Sequence, residues 1–209
     1  MARAKSVKEI MSMTFPTFPF EGEWRDAFGQ PERRGVWFIW GNSGSGKSTF
    51  TMQLCKELSK YGKVVYDSLE EGISESIKKT LRTCGMIDAK RLKILKKENI
   101  ADLIVRLKKQ KSPDMIVIDS FQYTMLSYRD YIKLKEQFPH KLIIFVSHAD
   151  GKEPDGRPAR SVKYDADLKI WVEGYRAFSK GRFMGSKSYI DVWPERAEVY
   201  WGNKTMPTL

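Results

Sequence analysis

Gly41-Asn42-Ser43-Gly44-Ser45-Gly46-Lys47-Ser48 is the stretch on which the fold turns. It fits G-x-x-x-x-G-K-[ST] at every fixed position. An apolar run of buried-strand length, residues 36–40, leads into it, and Phe50, Leu54, Leu58 and Tyr61 follow at helical spacing up to Gly62. Glycines let successive backbone N–H groups turn towards phosphate oxygens with no Cβ in the way. The helix that begins near Lys47 aims its unbonded N–H groups and the positive end of its dipole at the same anion. The motif therefore predicts a triphosphate cradle made of Gly41, Asn42, Ser43, Gly44, Ser45, Gly46, Lys47, Ser48 and Thr49. In it Lys47 reaches the β- and γ-phosphates and the Ser48 hydroxyl ligates Mg²⁺.

Downstream, strands and helices alternate. Residues 63–67, 92–95, 115–118 and 142–146 read as strands. The face of Ile73, Ile77, Leu81 and Cys84, that of Ile100, Leu103, Ile104 and Leu107, and residues 128–138 read as the helices between them. Such alternation means parallel βαβ units, hence a doubly wound, mostly parallel α/β core over 35–174. Segments 168–173, 175–179, 189–193 and 198–201 read as short strands joined by turns. Residues 175–209 are thus expected to add an antiparallel, β-rich C-terminal edge. Residues 1–34 carry Pro, Gly and the rings of Phe15, Phe18, Phe20, Trp24 and Phe28. They read as an arm with little regular structure that packs aromatics on the core. One domain over 1–209 is expected.

Two acidic positions extend the site. Met115-Ile116-Val117-Ile118-Asp119 is an apolar strand ending in a carboxylate, and in a P-loop fold that acid holds the magnesium, usually through water. Asp67-Ser68-Leu69-Glu70-Glu71-Gly72 closes the second strand in an acidic turn. If that strand adjoins the P-loop strand, the turn brings a glutamate to the ligand crevice. There it can orient or deprotonate a water in line with the γ-phosphate. Spacing alone does not separate Glu70 from Glu71.

Composition narrows the class. The 209 residues, 41% hydrophobic, can bury a full core and exclude a disordered chain. Two cysteines, Cys55 and Cys84, exclude a disulfide scaffold and a multi-cysteine metal site, and His140 and His148 leave little material for a metal centre. Apolar runs such as 142–146 are too short to cross a bilayer, and the basic N-terminal stretch lacks the apolar segment of a signal peptide. A cytoplasmic protein with no membrane partner is expected. With 37 Lys+Arg against 26 Asp+Glu, the net charge of +11 favours a polyanionic partner, nucleic acid first.

Over residues 35–190 these pieces resemble the RecA-fold P-loop ATPases, in particular the branch of the RadA and KaiC proteins and the DnaB-type replicative helicases. Ser68-Leu69-Glu70 resembles the helicases' serine–leucine–glutamate, whose glutamate is the catalytic base, which favours Glu70. Ile118-Asp119-Ser120 resembles the family's Asp-Ser at the end of strand four. Phe145-Val146-Ser147-His148 stands where the family has a strand ending in a γ-phosphate sensor, often Gln; here the residue is His148. Lys180-Gly181-Arg182 resembles the lysine–x–arginine with which one subunit reaches the ATP site of the next. The resemblance implies ATP and Mg²⁺ as cofactors and a homo-oligomer, ring or filament. It also implies DNA, single-stranded favoured, at the polar loop 149–160, with Lys152, Arg157 and Arg160, and at Phe121, Tyr123 and Tyr128 after strand four. The helicases' primase-contacting domain and RadA's zinc motif have no counterpart in these residues. What the chain resembles is a bare core of the size found in short ATPases of phages and mobile elements, with roles in recombination or replication.

Two other readings share the P-loop. A small-molecule or nucleotide kinase would use Asp67 as the acceptor's base, with Arg157 and Arg160 as a lid. An ATP-gated oligomeric scaffold would turn over slowly and ignore DNA. No residue in the sequence announces a base pocket.

Overall fold

A computed structural model describes residues 3–202. The expectations for 1–2 and for 203–209, the end of the C-terminal extension, lie outside the described residues. Among the described residues, nine strands form one sheet: β1 (Gly35–Gly41), β2 (Val64–Ser68), β3 (Leu92–Lys96), β4 (Met115–Asp119), β5 (Leu142–Asp150), β6 (Glu153–Pro154), β7 (Leu168–Glu173), β8 (Arg176–Gly181) and β9 (Tyr189–Asp191). Their order is β3-β2-β4-β5-β1-β7-β8-β9, with β6 on the end of β5. The strands from β3 to β7 along this path are parallel, and β8 and β9 add the antiparallel edge. The sheet runs unbroken across position 174/175 through the β7–β8 hairpin.

Helices cover both faces, as buried parallel strands require. On one face lie α2 (Gly22–Phe28), α3 (Lys47–Ser59) and α4 (Glu75–Thr83), packed through Phe28, Phe50, Leu54 and Ile77. On the other lie α5 (Ile100–Leu107), α6 (Tyr128–Gln137), α7 (Arg157–Asp165) and α8 (Pro194–Trp201), packed through Leu103, Tyr131, Val162 and Trp201. A short α1 (Val7–Met11) buries nothing and is closed by a capping box between Ser6 and Glu9. Among the described residues, no helix is long and apolar enough to cross a membrane.

The register sets the site. Gly41 pairs with His148, Asp119 with Val146 and Ser68 with Asp119, so the ends of β1, β5, β4 and β2 line up along one edge. One expectation fails here. The second strand is not the neighbour of the P-loop strand, because β5 and β4 lie between β1 and β2. The acidic turn still reaches the crevice, since Leu69 and Glu70 donate their N–H groups to the Asp119 carbonyl at 2.6 and 3.2 Å.

Four local expectations are also corrected. The N-terminal arm does bury Phe18, Phe20 and Phe28, but it contains α1 and α2. The segment 198–201 is the last turn of α8, not a strand. Pro194 suits the first turn of a helix, where no N–H bond is lost, and Ala197 and Trp201 fall on its buried face. The polar stretch 149–160 is not a plain loop. β5 continues to Asp150, β6 folds back on it, and α7 starts at Arg157 with Pro158 in its first turn. Phe121 is core, edge-on to Phe38 and Phe145, whereas Tyr123 and Tyr128 are exposed.

Candidate functional site

At the aligned strand ends opens a cavity of about 650 Å³. The glycine-rich loop makes one wall. Gly44 and Gly46 take positive φ of 76° and 97°, conformations that L side chains rarely adopt, and Gly46 leads directly into α3. The Phe50 N–H bonds the Gly46 carbonyl, so the amides of the turn before it, Lys47 to Thr49, are the unpaired donors of a helix N-terminus. From outside, Asn42 Nδ2 donates to the Gly151 carbonyl at 3.1 Å and Tyr175 N–H to the Ser45 carbonyl at 2.9 Å, which pin the loop to the β5–β6 turn and the β7–β8 turn.

Gly41, Asn42, Ser43, Gly44, Gly46, Lys47, Ser48, Thr49, Glu70, Asp119 and His148 all line this cavity. Ser45 is buried beneath it. His148 Nε2 and Glu70 Oε2 stand 2.7 Å apart at the rim, bringing the end of β5 against the turn after β2. Glu71 also faces the cavity, but its carboxylate accepts from the Ser74 hydroxyl at 2.6 Å, at the N-cap of α4. Asp119 accepts a short hydrogen bond from the Tyr66 hydroxyl. Burial raises the Asp119 carboxyl pKa, and the Tyr66 hydrogen bond and the charge of Lys47 oppose the rise. The following peptide, Asp119–Ser120, is cis.

Among the described residues, no three His, Cys, Asp or Glu side chains converge as a metal site. A metal here would therefore rest on Ser48 and Asp119 together with phosphate and water oxygens, the usual arrangement for Mg²⁺. The donor set fits, because both ligands are hard oxygens and a nearby cation would relieve the cost of burying Asp119.

Lys180 and Arg182 are not brought to this cavity. Lys180 pairs with Lys169 on β7, and Arg182 ion-pairs with Asp167 at 3.1 Å, at the opposite end of that strand. From Leu168 to Val172, beside the glycine loop, is four strand residues, roughly 13 Å. Asp67 is also elsewhere. Strand alternation turns it to the other face of the sheet, where its Oδ1 accepts the Glu98 N–H at 3.1 Å and its Oδ2 has no partner among the described residues. The kinase reading loses its acceptor base.

Burial pushes the Asp67 carboxyl up to about 6, with the Glu98 N–H and the Arg106 charge opposing. The folded state therefore binds this proton more tightly than the unfolded chain does. The stabilisation is present below pH 4 and is lost as pH rises through 6. Asp67→Asn cannot titrate. Its unfolding free energy relative to wild type is expected to move in the variant's favour by on the order of 2–3 kcal/mol between pH 4 and pH 7.5. Urea melts at the two pH values measure this, and a pH-independent difference would refute it.

Among the cavity residues that were not legible in the sequence are Tyr66, Tyr175, Val192, Trp193 and Arg196. The Arg196 guanidinium lies 4.2 Å over the Trp193 ring and 5.2 Å over Tyr175, whose hydroxyl accepts from Arg196 Nη1 at 2.9 Å. Together they form a cationic, aromatic shelf beside the phosphate loop. Tyr175 sits in a hairpin turn, and Trp193 and Arg196 open a helix where the sequence suggests a strand end and a turn, so no spacing rule joins them.

No protein-family profile and no curated protein matches this chain. Its structure is similar to that of the flagellar accessory protein FlaH from Methanocaldococcus jannaschii. That likeness holds at 15% identity over 85% of this chain and 92% of the other, with a TM-score of 0.56. It is also similar to a solved ATPase domain of another protein, at 16% identity over 79% of this chain and 84% of that domain, with a TM-score of 0.53. The fold is that of the RecA-like P-loop ATPases.

Proposed function

We propose that this protein binds and hydrolyses ATP with Mg²⁺ as a homo-oligomer whose partner is DNA, single-stranded before duplex. The observation that carries the reading is the 2.7 Å contact of Glu70 with His148, facing Lys47, Ser48 and Asp119 across one cavity. Nucleophile activation, phosphate binding and metal ligation need these groups at one place, and few other uses need them together.

Lys47 and the loop amides bind and orient the triphosphate. Bound at Ser48 and Asp119, Mg²⁺ would offset charge on the phosphate oxygens. Glu70 takes the proton of the attacking water, and its freedom from the Ser74 contact that holds Glu71 favours it as the base. His148 positions Glu70 and, with ATP present, turns towards the γ-phosphate. The purine stacks on the shelf of Trp193, Arg196 and Tyr175, with the cation over the rings adding to stacking. Lys180 and Arg182, roughly a strand length from their own cavity, serve the site of a neighbouring copy.

The test is steady-state ATP hydrolysis with and without single-stranded DNA at low and moderate salt. A several-fold stimulation that fades as salt competes for phosphate contacts is expected. Hydrolysis indifferent to DNA at both salts would replace this reading with that of an ATP-gated scaffold.

A further inference from the structure

The positive charge of this chain is not spread evenly. From the start of α4 to Lys111, twelve Lys and Arg stand against four Asp and Glu, which is eight of the eleven net positive charges of the whole chain. The segments after β4 and β5, which the resemblance assigns to DNA, are different. Residues 120–127 carry no charge, and 150–160 balance Lys152, Arg157 and Arg160 against Asp150, Glu153 and Asp155. Arg160 is further committed, to Asp150 at 3.4 Å and to the Pro154 carbonyl at 3.0 Å.

The basic segment folds around one border of the molecule. β3 is the outermost strand, bonded only to β2 among the described residues. α4 flanks it on one face of the sheet and α5 on the other. Lys90, Arg91, Lys93, Lys96 and Lys97 follow the edge, Lys78, Lys79 and Arg82 lie on α4, and Lys108, Lys109 and Lys111 follow α5; all eleven are exposed. Among the described residues, carboxylates pair only with Lys78, Arg82 and, beyond this set, the partly buried Arg106. Lysines on an edge strand do guard against sheet-to-sheet pairing, and Lys93 and Lys96 suffice for that. Guarding does not account for the cations on α4 and just after α5, away from the edge.

We propose that the β3 border is a contact surface for the phosphate backbone of a nucleic acid, and that the β5–β6 hairpin is not the main one. The inference rests on the reading of DNA as partner and assigns where on the chain it is held. On β3, Lys93 and Lys96 stand three residues, roughly 10 Å, apart and turn to opposite faces of the sheet, so with the cations of α4 on one face and those after α5 on the other they present charge on both sides of the border to an extended polyanion. The border has no exposed aromatic ring, so it takes phosphates and not bases, and contacts of that kind are indifferent to sequence. Its exposed apolar side chains, Ile87 and Val105, are single residues rather than a face that would enter a bilayer.

The experiment is fluorescence anisotropy of a labelled oligo-dT across 50–300 mM salt, with wild type, Lys90→Gln/Lys93→Gln/Lys109→Gln, and Lys152→Gln/Arg157→Gln. The border variant is expected to bind 10- to 100-fold more weakly at low salt. Its salt slope should fall by about 2, since each phosphate that a single strand no longer has neutralised takes away about 0.7. The hairpin variant should match wild type, and ATP hydrolysis without DNA should be unchanged in both. If wild type binds DNA but only the hairpin variant fails to, or neither variant is weakened, the border is overturned while DNA as partner stands. If wild type binds no oligonucleotide, the inference and the DNA reading fail together. Binding to anionic phosphatidylserine vesicles instead, abolished in the border variant, would make the surface a membrane contact and overturn the assignment.

Discussion

Glu70→Gln is expected to bind ATP within about threefold of the wild-type affinity and to turn it over 10²- to 10⁴-fold more slowly, the usual contribution of a general base. The substitution keeps length and shape. A glutamine amide can still bond His148 Nε2, so the rim of the cavity should keep its geometry while losing the group that accepts the water proton. Stability should not move, because the side chain is 41% exposed and its partner 38%, and contacts that open to solvent contribute little. Binding by fluorescent-nucleotide titration and turnover by phosphate release separate the two quantities. Normal turnover in Glu70→Gln would shift the base to Glu71. Loss of binding in step with turnover would mean that Glu70 organises the cavity and does not act on water.

What the sequence revealed, and what it hid, divides along contact range. The glycine loop, β1 and α3 form one local unit whose spelling, spacing and flanks are dictated by chain geometry over some 25 residues, and all were legible. Asp119 was legible because it ends an apolar strand, and His148 because the stretch after the apolar run 142–146 resembles a family motif. The adjacency of strands was not, since β1 and β2 follow one another in the chain yet stand three places apart in the sheet. That order rests on contacts between segments far apart in the chain, which leave no mark at the strand itself. The starts of α7 and α8 were hidden for a related reason, because proline breaks helix interiors but opens first turns, and burial of Val162 and Trp201 decides which applies at Pro158 and Pro194. The shelf of Tyr175, Trp193 and Arg196 depends on a hairpin and a helix meeting in space. Periodicity carries no record of such meetings.

Lys47→Ala is expected to weaken ATP binding at least 100-fold. Lys47 carries a positive charge that contacts two phosphates in a P-loop, and each hydrogen bond to a charged group contributes roughly 1.5–3 kcal/mol. Losing two therefore costs about 3 kcal/mol or more, and every 1.4 kcal/mol is tenfold in Kd. The fold should not suffer. Lys47 opens α3, where alanine is an excellent helix residue, and its main-chain carbonyl still accepts from the Thr51 hydroxyl at 2.9 Å. The change also removes the larger of the charges that oppose the raised pKa of Asp119, so that carboxylate should be harder to ionise and the site a poorer magnesium ligand. Thermal denaturation reads all of this at once. At ATP equal to 100 times the wild-type Kd, ligand binding stabilises the native state by about 2.7 kcal/mol. A 100-fold weaker variant retains only about 0.4 kcal/mol, a shift near the noise of a melt. Equal melting temperatures without nucleotide, with the ATP-dependent rise confined to wild type, are the expected result. A full rise in Lys47→Ala would mean that the glycine-loop amides alone hold the phosphates, and Lys47 would then have no part in binding.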